Sequence, residues 1–321
     1  MKKLLKKILI TRPIFADQIA ALRQHADVTV NESDVAMSPA ELIMALQGMD
    51  GAVTTLTEKI TPALLEACPS VKVIANIAVG YNNIDVAACH ARGVIVTNTP
   101  DVLTETTADF GFALLMATAR RLTEAEAFLR AGQWQRWGLD QLAGKDIHGA
   151  TLGIVGMGRI GSAIARRAAG FGMQIIYHNR KEASGDTGGA TYCESLPALL
   201  GMADFVMLVV PYTPATHHLM NAETIAMMKP DAMLINIARG GVVDDAALIT
   251  ALRNKTIAAA GLDVFEGEPA LNPAFLELKN VVLTPHIASS SLATRRAMSQ
   301  LAIDNCLDIV NGGAGLTVVS L

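Results

Sequence analysis

Short apolar runs alternate along this chain with longer stretches whose apolar positions recur at helical spacing. Lys7 to Thr11 (KILIT) reads as a buried strand, Phe15 to His25 has helical spacing, and Val28 to Val30 is a short strand. Ser38 caps a helix to about Leu46, Gly51 to Thr54 is a third strand, and Thr61-Pro62 opens a helix in the favoured order of cap, then proline. Val71 to Ala75 is strand-like, Ile84 to Ala91 helical, and Val94 to Val96 a strand again. A long Ala-rich helical stretch, Thr104 to Arg130, follows with Gly111 as its one strong breaker, and reads as a bridge between domains. Ala131 to Gly149 breaks the pattern. It holds Trp134, Trp137 and several glycines, and reads as an excursion outside any core.

A second series starts at Thr151. Its strands are Leu152 to Val155, Gln174 to Tyr177, Asp204 to Val210, Ala232 to Ile237, Ala258 to Val264 and Val281 to Thr284. Helices fall at Ser162 to Ala169, Ser195 to Leu200, Asn221 to Met228 and Asp244 to Arg253. The last helix, Leu292 to Val310, has no strand after it; if it returns to the first domain, that domain is discontinuous. The alternation predicts an α/β protein of two doubly wound, Rossmann-like parallel-sheet domains. Small molecules would sit in the cleft between them.

Composition adds exclusions. The 321 residues suit two domains of ordinary size, and 51% apolar against 17% charged residues supplies two buried cores. A net charge of −4, a pI near 6.0 and no basic stripe argue against nucleic acid as a partner. Cys68, Cys89, Cys193 and Cys306 are scattered without a C-x-x-C pair, which suits buried thiols in a reducing compartment. The basic start, Met1 to Lys7, lacks the apolar region of a signal peptide, and no run is long enough to span a membrane. The expectation is a soluble cytoplasmic protein.

The most specific motif is Gly153-Ile-Val-Gly-Met-Gly-Arg-Ile-Gly161, a G-x-G-x-x-G between a strand and a helix. Gly156 permits the tight turn, Gly158 lets the backbone approach a pyrophosphate, and Gly161 lets the helix pack close to the strand. The helix N-terminus offers free N–H groups and a positive dipole end to the phosphates. Domain 101–286 is therefore read as a dinucleotide-binding domain. An NAD enzyme of this design places an acidic residue at the end of the second strand. Here His178-Asn179-Arg180-Lys181 follows instead, with no carboxylate before Glu182. Asn179 does not repel a 2′-phosphate, Arg180 can give it two parallel hydrogen bonds, and Lys181 adds charge. NADP is the preferred cofactor on this reading, with NAD possible if Arg180 only stacks on the adenine.

Ligands in such sheets bind beyond the carboxyl ends of the strands. There the second series places Arg239 after Ile237, Glu266 and Glu268 after Val264, and His286 after Thr284. Val79-Gly80-Tyr81 follows a strand of the first series and could face them. Taken singly, Arg239 could form a surface pair, the glutamates could be solvated, and His286 could be a core imidazole. Together, at the ligand end of one nucleotide-binding sheet, they read as a functional set. His217 and His218 read as surface or helix-lead residues rather than a metal pair; no carboxylates cluster at metal-ligand spacing, and no metal is expected.

These motifs carry a resemblance. Val79-Gly-Tyr-Asn-Asn-Ile-Asp85, Gly153 to Gly161, Leu234-Ile-Asn-Ile-Ala-Arg-Gly-Gly241, Gly261-Leu-Asp-Val-Phe-Glu-Gly-Glu-Pro269 and Thr284-Pro-His-Ile287 stand in the order of the D-isomer-specific 2-hydroxyacid dehydrogenases. The chain most resembles their glyoxylate, hydroxypyruvate and 2-ketogluconate reductase branch. The formate dehydrogenases of the superfamily have Gln where Glu268 stands, and the extra regulatory domain of many phosphoglycerate dehydrogenases is not expected. The resemblance implies a flavodoxin-like substrate (catalytic) domain at 1–100 plus 287–321 and an NAD(P)-binding Rossmann domain at 101–286. His286 would be the acid–base group, Glu268 its partner favouring the protonated imidazole, and Arg239 the holder of the substrate carboxylate. Backbone N–H groups near Val79 and Gly80 would take the other carboxylate oxygen. Met157, Arg159 and Ile160 would line the pyrophosphate turn, Thr104 would touch the cofactor, and Asp263 would meet the nicotinamide carboxamide. Pro211 and Ala238 complete the expected cofactor-binding set.

The resemblance thus implies a small 2-keto acid as substrate, reduced to a D-2-hydroxy acid. The rival is a nucleotide-sensing binding protein, like the corepressors that resemble this family, without turnover. Trp134 and Trp137 on an irregular segment suggest a contact surface, and similar proteins pair through their cofactor domains, so a homodimer is expected.

Overall fold

The computed structural model describes residues 5–320; the first four residues of the basic start, Met1 to Leu4, lie outside them. In chain order the elements are β1 (Lys6–Ile10), α1 (Ala16–Leu22), β2 (Ala26–Val30), α2 (Pro39–Leu46), β3 (Gly51–Thr54), α3 (Pro62–Ala67), β4 (Val73–Asn76), α4 (Val86–Ala91) and β5 (Ile95–Thr97). There follow α5 (Thr104–Ala119), α6 (Leu122–Arg130), β6 (Thr151–Val155), α7 (Arg159–Ala169), β7 (Gln174–His178), β8 (Thr191–Tyr192), α8 (Leu196–Met202), β9 (Phe205–Leu208) and α9 (Ala222–Ala226). The last are β10 (Met233–Asn236), α10 (Asp245–Arg253), β11 (Ala259–Leu262), β12 (Val281–Leu283) and α11 (Leu292–Val310). The chain divides into two compact units, residues 1–103 with 291–321, and residues 104–290. Among the described residues no helix is long and apolar enough to cross a membrane.

In the first unit five parallel strands run in the order β2-β1-β3-β4-β5. Local signals start its helices where expected: Ser38 and Glu41 form a reciprocal capping box on α2, and Thr61 accepts the Leu64 N–H on α3. The final helix, α11, packs on β3, β4 and β5 of this sheet. Gly51 makes room for it: a Cβ there would lie 3.0 Å from Val310 and 3.1 Å from Cys306.

In the second unit seven parallel strands run in the order β12-β11-β10-β9-β6-β7-β8. The order reverses between β6 and β9, which is the switch point where such sheets open a crevice. Phe205 and Met207 of β9 join Met233 and Ile235 of β10 under α5 and α7. Val206, Leu208 and Leu234 turn the other way, under α8, α9 and α10. Successive side chains of a strand point to opposite faces, and both faces here carry helices. That is why these strands are apolar throughout rather than alternating.

The bridge expected as one helix from Thr104 to Arg130 is two. It breaks between Ala119 and Leu122, where Arg121 adopts φ +53°. The cause lies 22 residues away in sequence or more: the Ala119 carbonyl accepts the Lys145 N–H at 2.9 Å, and Arg121 donates to the Ala143 carbonyl. Gly111, the expected breaker, sits inside α5, where a Cβ would lie 2.7 Å from Ile237 Cδ1. The excursion also divides. Trp134, Trp137 and Leu139 are 56%, 75% and 88% exposed, but Ile147 is buried and joins the core under α5 and α7. The two-residue strand β8 was not signalled by any apolar run.

Candidate active site

The glycine turn follows β6 at the switch point. Gly156 has φ +108°, and a Cβ on it would lie 2.8 Å from the Val209 carbonyl carbon beyond β9. Gly161 is needed for a different contact: its Cβ would lie 2.5 Å from the Gly156 carbonyl oxygen. Gly158 is exposed, and a Cβ there would meet nothing within 4 Å. Gly158 is also the N-cap of α7, without a side-chain cap. An open backbone face at an uncapped helix N-terminus is what a pyrophosphate needs, so these residues fit a dinucleotide. Gly158, Arg159 and Ile160 lie at the surface of this turn, while Met157 is buried.

Three loops at the carboxyl end of the same sheet bring the acid–base candidates together. Gly240 lets the first two loops touch: its Cβ would lie 1.9 Å from the Phe265 carbonyl carbon, so only glycine fits beside Arg239. His286 Nδ1 lies 2.6 Å from Glu268 Oε1, and Glu268 Oε2 accepts the Phe265 N–H at 3.2 Å. Burial opposes the Glu268 charge, but the His286 hydrogen bond and charge, the Phe265 N–H and Arg239 outweigh it and hold the carboxyl below its usual range. Arg239 is deeply packed; burial pulls its guanidinium down, and the charge of Glu268 opposes that. One carboxylate thus faces a guanidinium and an imidazole. With the imidazole protonated the group carries an excess positive charge, which an anionic ligand would balance.

His286 itself has φ +52°, an uncommon conformation for a residue with a side chain. Asp263 holds it there. Its fully buried carboxylate accepts Thr284 Oγ1 at 2.7 Å and the Ile287 N–H at 2.9 Å on Oδ1, and the Ala288 N–H at 2.8 Å on Oδ2. The Asp263 carbonyl accepts the His286 N–H. Asp263, expected at the nicotinamide carboxamide, is thus fully buried and serves this loop. Asn179 also serves the turn itself. Its side chain clamps the glycine turn, accepting the Met157 N–H at 2.7 Å and donating to the Met157 carbonyl at 3.2 Å. Arg180 and Lys181 are exposed, and among the described residues neither forms an ion pair.

The other candidates lie as follows. Thr104 begins α5, Pro211 is exposed after β9, and Ala238 is buried after β10 beneath Arg239. Val79 and Gly80 follow β4 in the first unit and are half-buried. Sequence reading missed a second cluster in the cofactor-type unit. His218 Nε2 lies 2.7 Å from Glu266 Oε1, and His217, His218 and Glu266 offer ligand atoms within 4.8 Å of one another. Beside them Asp245 accepts the Glu266 N–H, and burial, aided by the Glu266 and Asp244 charges, pushes its carboxyl up to about 6. Only adjacency of the histidines hinted at this; Glu266 is 48 residues from His218.

A family model described as the NAD binding domain of D-isomer specific 2-hydroxyacid dehydrogenases matches residues 112–288. The chain is 47% identical over 320 residues to the glyoxylate reductase of Thermococcus onnurineus, covering 98% of this chain and 96% of that protein. It is 43% identical to glyoxylate/hydroxypyruvate reductase B of Klebsiella pneumoniae, with 95% of each covered. Among solved structures, the NADPH-dependent glyoxylate/hydroxypyruvate reductase of Sinorhizobium meliloti, in complex with NADP and malonate, superimposes with a TM-score of 0.89 at 41% identity, covering 98% of this chain and 97% of that one. With the glycine turn, the Glu268–His286 pair and Arg239 on one sheet edge, these matches decide the matter: the chain belongs to the D-isomer specific 2-hydroxyacid dehydrogenase family.

Proposed function

We propose that this enzyme reduces glyoxylate, hydroxypyruvate and similar small 2-keto acids to D-2-hydroxy acids, using NADPH in preference to NADH. The observation that carries the reading is the Glu268–His286 contact of 2.6 Å beside the packed Arg239 guanidinium. A bound dihydronicotinamide supplies a hydride to the carbonyl carbon. Glu268 occupies His286 Nδ1, which leaves Nε2 to give its proton to the keto oxygen. Arg239 holds the substrate carboxylate and polarises the ketone through its planar fork of donors. Val79 and Gly80 are assigned to the substrate carboxylate as well. The residues 1–100 and 287–321 would form the substrate domain, and 101–286 the cofactor domain.

Gly156 to Gly161 would hold the pyrophosphate, with Thr104, Pro211 and Ala238 near the cofactor. Exposed Arg180 and Lys181, with no carboxylate at the end of β7, support the 2′-phosphate preference, and the similar Sinorhizobium enzyme is NADPH-dependent. We also propose a homodimer joined through Trp134, Trp137 and α6, a helix whose described residues are all at least partly exposed. All four thiols are free and buried, which suits a cytoplasmic enzyme. The test is absorbance at 340 nm with each cofactor and a panel of 2-keto acids. Turnover of glyoxylate or hydroxypyruvate is expected; dinucleotide binding without turnover of any keto acid would favour a sensor instead.

A further inference from the structure

We propose that Asn76 and Asn98 are positioning residues that aim the backbone N–H groups of the Val79–Gly80 loop at an anionic carboxylate; this rests on the assignment of that loop to the substrate. After β4 the Ile77 N–H donates to the Thr54 carbonyl and the Ala78 N–H to the Asn76 carbonyl, each at 2.8 Å. The next three carbonyls are each held. Ala78 O accepts the Thr99 N–H at 2.8 Å, Val79 O accepts Asn98 Nδ2 at 2.9 Å, and Gly80 O accepts Asn76 Nδ2 at 3.2 Å. Among the described residues, the N–H groups of Val79, Gly80 and Tyr81 have no acceptor.

The planar peptide links these facts. A carbonyl and the N–H of the following residue share one rigid plane and point opposite ways. Pinning Val79 O therefore aims the Gly80 N–H, and pinning Gly80 O aims the Tyr81 N–H, while Thr99 does the same for Val79. Three consecutive donors left open on a loop whose carbonyls are all tied back form a concave site for an anion. The tethers are neutral amides, so they orient the loop without competing for the anion's charge.

Both amides are themselves fixed. Asn76 is fully buried, and Thr54 Oγ1 donates to its Oδ1 at 3.4 Å, which turns Nδ2 toward Gly80. Asn98 is held through its backbone: its carbonyl accepts Thr317 Oγ1 at 2.6 Å, and its N–H donates to the Thr317 carbonyl. Thr317 in turn is bound by Asn305, a buried residue of α11 whose Oδ1 accepts the Leu316 and Thr317 N–H groups. A side chain on the returning helix thus reaches the Val79 carbonyl through two intermediates. This gives that helix and the segment after it a part in substrate binding that the motifs did not show.

The test compares Asn98→Ala and Asn76→Asp with the wild-type enzyme, with Asn98→Asp as a same-size variant that cannot donate to Val79. The readouts are KM for glyoxylate, Ki for oxalate as a non-reducible dicarboxylate, kcat, Kd for NADPH, and Tm. We expect KM and Ki to rise together by about 10- to 100-fold, the usual result of a misplaced binding group. The Kd for NADPH should stay at the wild-type value, and kcat should fall by much less than KM rises. Folded variants with wild-type KM and Ki, or a matching loss of NADPH affinity, would overturn the inference while leaving the proposed reaction standing. A wild-type enzyme that neither reduces a 2-keto acid nor binds oxalate would overturn both.

Discussion

Replacing Glu268 by glutamine changes the chemistry of the acid–base pair and little of its shape. In the wild type, one oxygen faces His286 Nδ1 at 2.6 Å while the other accepts the Phe265 N–H at 3.2 Å. A glutamine has a single carbonyl oxygen, so it can serve one of these and must turn its NH2 toward the other. Reduction requires a protonated imidazole, and the variant removes the negative charge that favours it. Two unit charges about 4 Å apart interact by roughly 4 kcal/mol at an effective dielectric constant of about 20. The side chains are 25% and 26% exposed, so water screens the pair further. The alkaline limb of the pH profile for keto-acid reduction should therefore move to lower pH in Glu268→Gln. The assay is kcat/KM for glyoxylate at saturating NADPH, followed at 340 nm from about pH 5.5 to about pH 9.5. A variant whose profile superimposes on the wild type after scaling would refute the charge pairing, whatever its absolute rate.

Other outcomes follow from the same geometry. His286→Ala should lower kcat by about 10²–10⁴-fold, the usual worth of a positioned acid–base group, and a folded variant with near-normal kcat would remove His286 from the mechanism. Arg180→Ala should bring kcat/KM for NADPH down toward that for NADH; a wild type indifferent to the two cofactors would contradict the preference. Asp245 has its carboxyl raised to about 6, above its unfolded value, so its ionisation costs stability progressively between about pH 4 and pH 6 and fully above. Asp245→Asn, which can still accept the Glu266 N–H, should raise the unfolding free energy at pH 8 by an amount on the order of 2 kcal/mol, with the gain vanishing below pH 4; a gain independent of pH would exclude this cause. Light scattering at micromolar concentration should give twice the chain mass, falling toward one when Trp134 and Trp137 are replaced by serine; a monomeric wild type would refute the dimer.

The alternation of apolar runs was enough to place nearly every strand and helix, because a buried parallel strand must be apolar on both faces and a helix must repeat near every fourth residue. Ser38, Thr61 and Ser195 marked helix starts for a local reason: each side chain accepts an N–H three residues on. The glycine turn was legible because Gly156 and Gly161 answer to backbone atoms a few residues or one strand away. The acid–base residues were legible as candidates, since each directly follows an apolar strand. What the sequence could not show is which groups already spend their hydrogen bonds inside the protein. Asp263 and Asn179 read in order as candidate ligand contacts, and the folded chain also uses them to hold the His286 loop and the Met157 turn. The break at Arg121 depends on Lys145, the His218 contact on Glu266, and the Val79 carbonyl on Asn98 and the distant Thr317. Periodicity and caps are written in neighbouring residues and survive in the sequence. Polar partners separated by 19 to 219 residues meet only when the sheet order has been set, so tertiary structure alone assigned them.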